Sequence, residues 1–344
     1  MNAADSPMFR LGTFSVVGAD PFPGLVLGQE VYAIPDLAVL GRKLGLKLHG
    51  TDSVLALLER WGENLPALRT LAGALPRASA AHRPLAELRT HAPLLPRQIF
   101  QAGANYHKHV VDLIVDGALA RDPATDREQM RAQASEMMRK RADSGQPFVF
   151  TGLASSIIGP DDPIVVPYDV RQPDWELELA AVIGRCARRV SRQSALDVVA
   201  GFTIANDITA RERVARPDAP QMGMDWMASK GAPTFLPIGP WLTPAEFVGN
   251  PQSLRITLKL NGRVMQDEST ADMIFSVARL IEFISLHVQL LPGDLVLTGS
   301  PSGNGTHYNR FIQGGDLLEG EVTGLGRLRN PCVAEPRSAA QGEP

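Results

Sequence analysis

Asp174-Trp175-Glu176-Leu177-Glu178-Leu179-Ala180-Ala181-Val182-Ile183-Gly184 is the stretch on which the reading of this chain turns. On a strand, residues two apart point to the same face. Glu176 and Glu178 therefore project together, while Trp175, Leu177 and Leu179 pack on the opposite side. Two like charges side by side on an otherwise apolar strand repel each other and need compensation, from a divalent cation or a basic partner. The next apolar strand, Gly201-Phe202-Thr203-Ile204-Ala205, ends in Asn206-Asp207, with Arg211 beyond it. A third carboxylate at that strand end would complete an oxygen-rich site. Three carboxylates plus water suit Mg²⁺, Mn²⁺ or Ca²⁺ rather than zinc. A solvent-facing edge strand also displays Glu-x-Glu; the pattern gains weight here because Asp207, His109 and Lys230 stand in similar Gly/Asn/Asp-punctuated contexts.

Outward from this stretch the chain is β-like: FVFTGLASSIIGPDDPIVVP from Phe148, GFTIANDITAR from Gly201, SLRITLKLNGRVM from Ser253 and LLPGDLVLTGS from Leu290. One helix is expected over 272–287. Short strands with few helices argue for an α+β, mostly β fold rather than alternating βαβ units. Residues 98–110, QIFQAGANYHKHV, read as strand, loop and helix. The charged stretch 112–143, including DREQMRAQASEMMRKRAD, has helical propensity but a weak apolar face, as a surface helix or lid would. Upstream, Thr51-Asp52-Ser53 offers a helix cap before Val54, Leu55, Leu57, Leu58 and Trp61. A Pro/Ala/Arg/His-rich segment between Pro76 and Pro96 marks a boundary. The expected organisation is a small accessory unit over 1–95, a main unit over 96–334 and a frayed tail over 335–344.

The 344 residues carry a net charge of −3, with 44% hydrophobic and 21% charged residues, as in an ordinary globular protein. That balance argues against nucleic acid as a partner. No apolar run reaches the roughly 18 residues of a membrane span, and the first residues lack the pattern of a secretory leader. Cys186 and Cys332 are too few for a disulfide scaffold, so a cytoplasmic location is expected. Glycine (31) and proline (27) exceed their usual share and imply many turns.

Several familiar signatures are missing. Gly299-Ser300-Pro301-Ser302-Gly303-Asn304-Gly305 lacks the Gly-Lys-Ser/Thr of a phosphate loop. It also lacks a serine at the nucleophile-elbow position, which Pro301 fills. No GxGxxG follows a strand and no HExxH occurs. His109 and Asp112, three apart, share a face if their segment is helical. A carboxylate beside an imidazole suits a general base near neutral pH.

In order along the chain stand Gly103-Ala104-Asn105-Tyr106-x-x-His109, Glu176-x-Glu178-Leu179-Ala180, Asn206-Asp207-Ile208-Thr209-Ala210-Arg211, Lys230-Gly231-Ala232-Pro233-Thr234-Phe235, Pro237-x-Gly239-Pro240, Asn261-Gly262 and Pro292-Gly293-Asp294-Leu295-Val296-Leu297-Thr298-Gly299-Ser300-Pro301. This series resembles the fumarylacetoacetate hydrolase superfamily over roughly residues 98–330. The resemblance implies a mixed β-sandwich-like roll and a divalent ion (Mg²⁺ or Mn²⁺, with Ca²⁺ possible) held by Glu176, Glu178 and Asp207. It implies a water-activating pair in His109 and Asp112, although many relatives carry Glu at the second place. It also implies a charge-steadying Lys230, an Arg211 near substrate oxygens, and substrate contacts from Tyr106, Thr298 and Ser300. Homodimers are common among such proteins.

Three departures bear on substrate. Thr151 stands where many relatives have lysine, the 112–143 stretch is longer than the usual lid, and Arg213-Val214 replaces a frequent glutamine. The expected activity is hydrolytic C–C cleavage of a 1,3-diketo acid, an acylpyruvate- or fumarylpyruvate-like oxo acid. Decarboxylation of β-keto acids, hydration and keto–enol tautomerisation are the alternatives within the same family. A binding protein with a structural ion is the alternative outside it; the joint presence of base, lysine and ligands argues against it.

Overall fold

The computed structural model describes residues 7–78 and 80–336; most of the expected tail, 337–344, lies outside them. The strand Leu177–Ile183 sits near the middle of a twelve-stranded sheet, between Val199–Asn206 and Leu295–Leu297. It is antiparallel to both, with Glu178 opposite Ala205 and Ala181 opposite Val296. Beyond Leu295–Leu297 come Ile99–Gly103, added in parallel, and then the edge strand Phe148–Thr151. A five-stranded sheet, built around Arg255–Leu260, Leu317–Val322 and Gly326–Ala334, forms the second layer. The result is the expected α+β architecture with a β majority in the site region.

The alternation read from the sequence is what divides the core. Leu177, Leu179, Ala181 and Ile183 pack with Trp175 into a cluster shared with the second sheet and the helix Val277–His287. Ala180 and Val182 face the other way, into a cluster with Leu57, Leu58, Trp61 and Leu68. The amino-terminal segment thus covers the back of the central sheet, and Arg10–Ser15 joins that sheet at the register Leu11–Leu242. Every residue of the central strand is buried in consequence. Charge is tolerated on such a strand only where specific partners meet it.

Two helices differ in extent from the expectation. The carboxy-terminal one begins at Val277, capped by Ser276, rather than at residue 272. Asn105 decides this: its side chain accepts from the Phe275 N–H at 2.9 Å and donates to the Phe275 carbonyl at 3.0 Å. Those two bonds hold Phe275 outside the helix. The charged stretch forms a pair of helices, His107–Arg121 and Arg127–Ser144, the second capped by Asp126. Its weak apolar face is enough to bury Ala134 and Met138 against Val110, Val111 and Val115. Among the described residues no helix is long and apolar enough to cross a membrane.

Candidate active site

Glu176 lies just before the central strand, Glu178 within it and Asp207 just past the end of its neighbour, so strand pairing alone brings them together. One oxygen from each falls within 4.8 Å of the others. Backbone bonds set the angle of the pair: the Asp207 N–H donates to the Glu176 carbonyl, and the Glu176 N–H to the Asn206 side chain, both at 2.9 Å. Asp174, two residues ahead of Glu176, is a fourth buried acid on the same face.

Two cations answer these four carboxylates. Lys230, carried on the helix Trp226–Lys230, donates to Glu176 Oε2 and Thr209 Oγ1 at 2.7 and 2.8 Å and also to Asp207 Oδ2. Arg211 bridges Asp174 Oδ2 and Glu176 Oε1 at 2.8 and 2.7 Å. Burial by itself raises the Glu176 carboxyl, but Arg211 and Lys230 overcome it and hold the group below the carboxylate range. Burial likewise opposes the charge of Lys230, and Asp207 and Glu176 restore it. Among the described residues Glu178 has no such cation in contact. Burial, with the charges of Asp207 and Glu176 adding to it, pushes its carboxyl well above the usual range. Among the described residues its one hydrogen-bond partner is the Gly299 N–H, donating to Oε2 at 2.7 Å.

Four acids against two bases leave a deficit that one divalent cation would cancel, centred where Glu178 lacks a counter-charge. All three donors are hard oxygens, the set preferred by Mg²⁺, Mn²⁺ and Ca²⁺. The residues fit such an ion.

The cavity in front of the triad has a volume of about 440 Å³, and Glu176, Glu178, Asp207 and Lys230 are among the residues that line it. His109 stands on its wall. Burial pushes its imidazole down to about 4, with the Glu176 charge working the other way, so the ring is neutral near pH 7. Asp112 does not orient this ring. Its carboxylate accepts from Arg131 Nη2 at 2.7 Å and from Ser302 Oγ at 2.8 Å. Those bonds offset burial and keep its pKa low.

The remaining expected residues divide. Arg211 and Ser300 line the cavity, the latter's hydroxyl accepting from Gln266 Nε2 at 2.9 Å. Thr298 is fully buried and donates its hydroxyl to the Leu179 carbonyl at 2.8 Å, pinning the loop that carries Gly299. Tyr106 is also fully buried, and among the described residues its hydroxyl meets the geometry of a hydrogen bond with none. Of the departures, Val214 lines the cavity as apolar wall, while Thr151 is exposed at the sheet edge.

Sequence reading missed Gln101, whose Nε2 donates to Asp207 Oδ1 at 2.6 Å, and Asp174. Both carried a signal. Gln101 is a lone polar residue in an apolar strand, and Asp174 extends the Glu176/Glu178 alternation by one step. The aromatic wall was missed too: Phe148, Phe150 and Trp226 line the cavity, with Phe150 stacked on Trp226 at 4.2 Å between centroids. Only the pairing of distant segments brings these rings together.

A family model described as the fumarylacetoacetate (FAA) hydrolase C-terminal region matches residues 98–333. A 2,4-didehydro-3-deoxy-L-rhamnonate hydrolase of a Sphingomonas species is 40% identical over 187 residues, 54% of this chain and 64% of that one. A mitochondrial oxaloacetate tautomerase of Xenopus laevis is 37% identical over 190 residues, 55% of this chain and 58% of that one. The matched region thus spans less than two thirds of these relatives' lengths. Among solved structures, a maleylpyruvate hydrolase from a Sphingobium species, in complex with manganese (II) and pyruvate, superposes with a TM-score of 0.68 at 26% identity. A fumarylacetoacetate hydrolase from Exiguobacterium antarcticum gives 0.73 at 25% identity. Each alignment takes in 95% of this chain and all of the other.

Proposed function

This chain belongs to the fumarylacetoacetate hydrolase family, and on that premise we propose that it is a divalent-metal-dependent hydrolase cleaving a C–C bond in a 1,3-diketo acid. The observation that carries the reading is the shared cavity, lined by both a buried triad of hard oxygen donors and a neutral imidazole. Glu176, Glu178 and Asp207 would hold Mg²⁺ or Mn²⁺, which supplies Lewis-acid polarisation of the substrate's oxo-acid oxygens.

The chain's own groups do the rest. His109 takes a proton from water, and the water oxygen adds to the distal carbonyl carbon. The bond between that carbonyl carbon and the central CH₂ then breaks, its electron pair passing into the enolate. The acyl part leaves as a carboxylic acid, and the carbon released as an enolate recovers a proton from the His109 imidazolium. Lys230, fixed by Glu176, Asp207 and Thr209, keeps positive charge beside the triad, where the enolate forms. Gln101 and the Gly299 N–H hold Asp207 and Glu178 in place.

Oxaloacetate tautomerisation is the second reading. It is supported by the relative of that name and by the His109–Asp112 pair, which shares no hydrogen bond in this structure. The same base then moves a proton between carbon and oxygen, and no water is consumed.

The deciding experiment offers EDTA-treated protein acetylpyruvate or oxaloacetate, each with and without Mg²⁺ or Mn²⁺, and follows products by NMR. Acetate plus pyruvate, formed only with metal, supports the hydrolase. Faster keto–enol exchange of oxaloacetate with the diketone intact supports the tautomerase, and pyruvate with CO₂ a decarboxylase.

A further inference from the structure

We infer that Arg141 binds a second carboxylate, carried at the end of the substrate remote from the acidic triad. The inference rests on the oxo-acid reading above. Three basic side chains with permanent charge line the cavity: Lys230, Arg211 and Arg141. The first two are each committed to two carboxylates. Arg141 is paired with none among the described residues. Its Nη1 donates to the Ala104 carbonyl at 2.7 Å, and its guanidinium lies 5.3 Å from the centre of the Phe275 ring. These contacts fix the plane of the fork without neutralising it. Burial lowers its pKa, and no acid works against that effect. A half-buried guanidinium on a ligand cavity, held by one bond and lacking a counter-ion, is suited to two-point capture of a carboxylate.

Its position sets the substrate's reach. The strand Ile99–Gly103 and the residue after it carry one contact to each group: Gln101 touches Asp207, and Arg141 meets the chain at Ala104. Two strand steps from Gln101 to Gly103, about 7 Å, and then the left-handed turn residue Ala104 separate those levels. The neighbouring strand pairs Phe150 with Gln101 and Phe148 with Gly103, so aromatic rings flank the same interval. A ligand spanning it has an oxo-acid head at the triad, an unsaturated or extended carbon segment against Phe150 and Phe148, and an acidic tail at Arg141. A methyl-ended acyl chain of equal length would cover the guanidinium and leave it unpaired, the condition under which polar sites discriminate most strongly.

The test measures equilibrium binding, so it does not depend on turnover. Mn²⁺-loaded protein is titrated in a calorimeter with 2-oxoadipate and with 2-oxohexanoate, which differ only in the acidic or methyl end. Wild type is expected to bind the diacid at least about tenfold more tightly, Arg141→Leu to bind both within about threefold, and Arg141→Lys to restore part of the preference. Equal binding of the two acids by wild type overturns the assignment, as does a preference that survives in Arg141→Leu. If the preference is present and depends on Arg141 while no diketo acid is cleaved, the assignment stands and the hydrolase reading falls.

Discussion

The Arg131 guanidinium donates to the Asp112 carboxylate at 2.7 Å and thereby ties the helix Arg127–Ser144 to the helix His107–Arg121. The second oxygen of the same carboxylate accepts from Ser302, on the loop that follows the Gly299 contact to Glu178. Asp112 is therefore a clasp between the helical pair and the triad loop, spent on neighbours other than His109.

Asp112→Asn should loosen the clasp without disabling the base. Exchange of amide hydrogens over 127–144 is expected to accelerate, corresponding to about 1–2 kcal/mol of local stability, since the bond lost is charge-assisted and partly exposed. Turnover should fall less than tenfold, against roughly 10²–10⁴ for His109→Ala. An Asp112→Asn loss as large as that of His109→Ala would restore the carboxylate to the imidazole.

Glu178→Gln keeps shape and removes the charge that no contacting cation balances. Mn²⁺ affinity, read by electron paramagnetic resonance, should fall more than ~100-fold. The metal-free variant should melt no lower than wild type, because a buried carboxylate crowded by two others has been neutralised. Unchanged Mn²⁺ binding would remove Glu178 from the ligand set.

On the hydrolase reading, acid should abolish turnover late. The His109 imidazole is held neutral down to about pH 4 by burial, and any cation at the triad lowers it further. Between pH 8 and about 5, kcat/KM is expected to stay flat on the acid side, because His109 takes up its proton only below that range. Because acid also competes with metal at Glu178 and Asp207, the profile is taken at saturating Mn²⁺; a limb near 6.5, the ordinary histidine value, that persists as Mn²⁺ is raised would show that this ring is not the base.

Asp294 gives the clearest stability test. Burial raises its carboxyl to about 6, although it accepts from the Leu291 N–H and from Gln98 Nε2, both at 2.7 Å. The folded state holds this proton more tightly than the unfolded chain, so the associated stability is complete below about pH 4 and disappears as pH rises toward 6. Its other oxygen is buried without a partner among the described residues. Asp294→Asn retains one acceptor and never ionises. Thermal melts should show the variant gaining on wild type between pH 4 and 7, by on the order of 2 kcal/mol. A gap independent of pH would mean the carboxyl titrates normally.

How much of the site was legible varied with the range of the interaction. Glu176 and Glu178 were readable as a pair because period-two alternation is a local property, and burial of Leu177, Leu179, Ala181 and Ile183 on the opposite face follows from the same rule. The orientation of Asp112 was not readable, because spacing on one helix says who is near and nothing about a competing arginine nineteen residues on. The start of the Val277 helix was lost likewise, to bonds from Asn105, 170 residues away in the chain.

By itself, then, the sequence determined the family, the β-rich class and the acids that face one another, since these depend on residue identity and short periodicity. Only the tertiary structure decided which charges are paired. Arg211 and Lys230 are paired with acids from other segments, Arg141 has none among the described residues, and Thr298 turns into the sheet instead of the cavity. Pairing is settled by distances across a packed sheet, where a few ångströms in a low-dielectric interior decide between a structural ion pair and a charge available to a ligand.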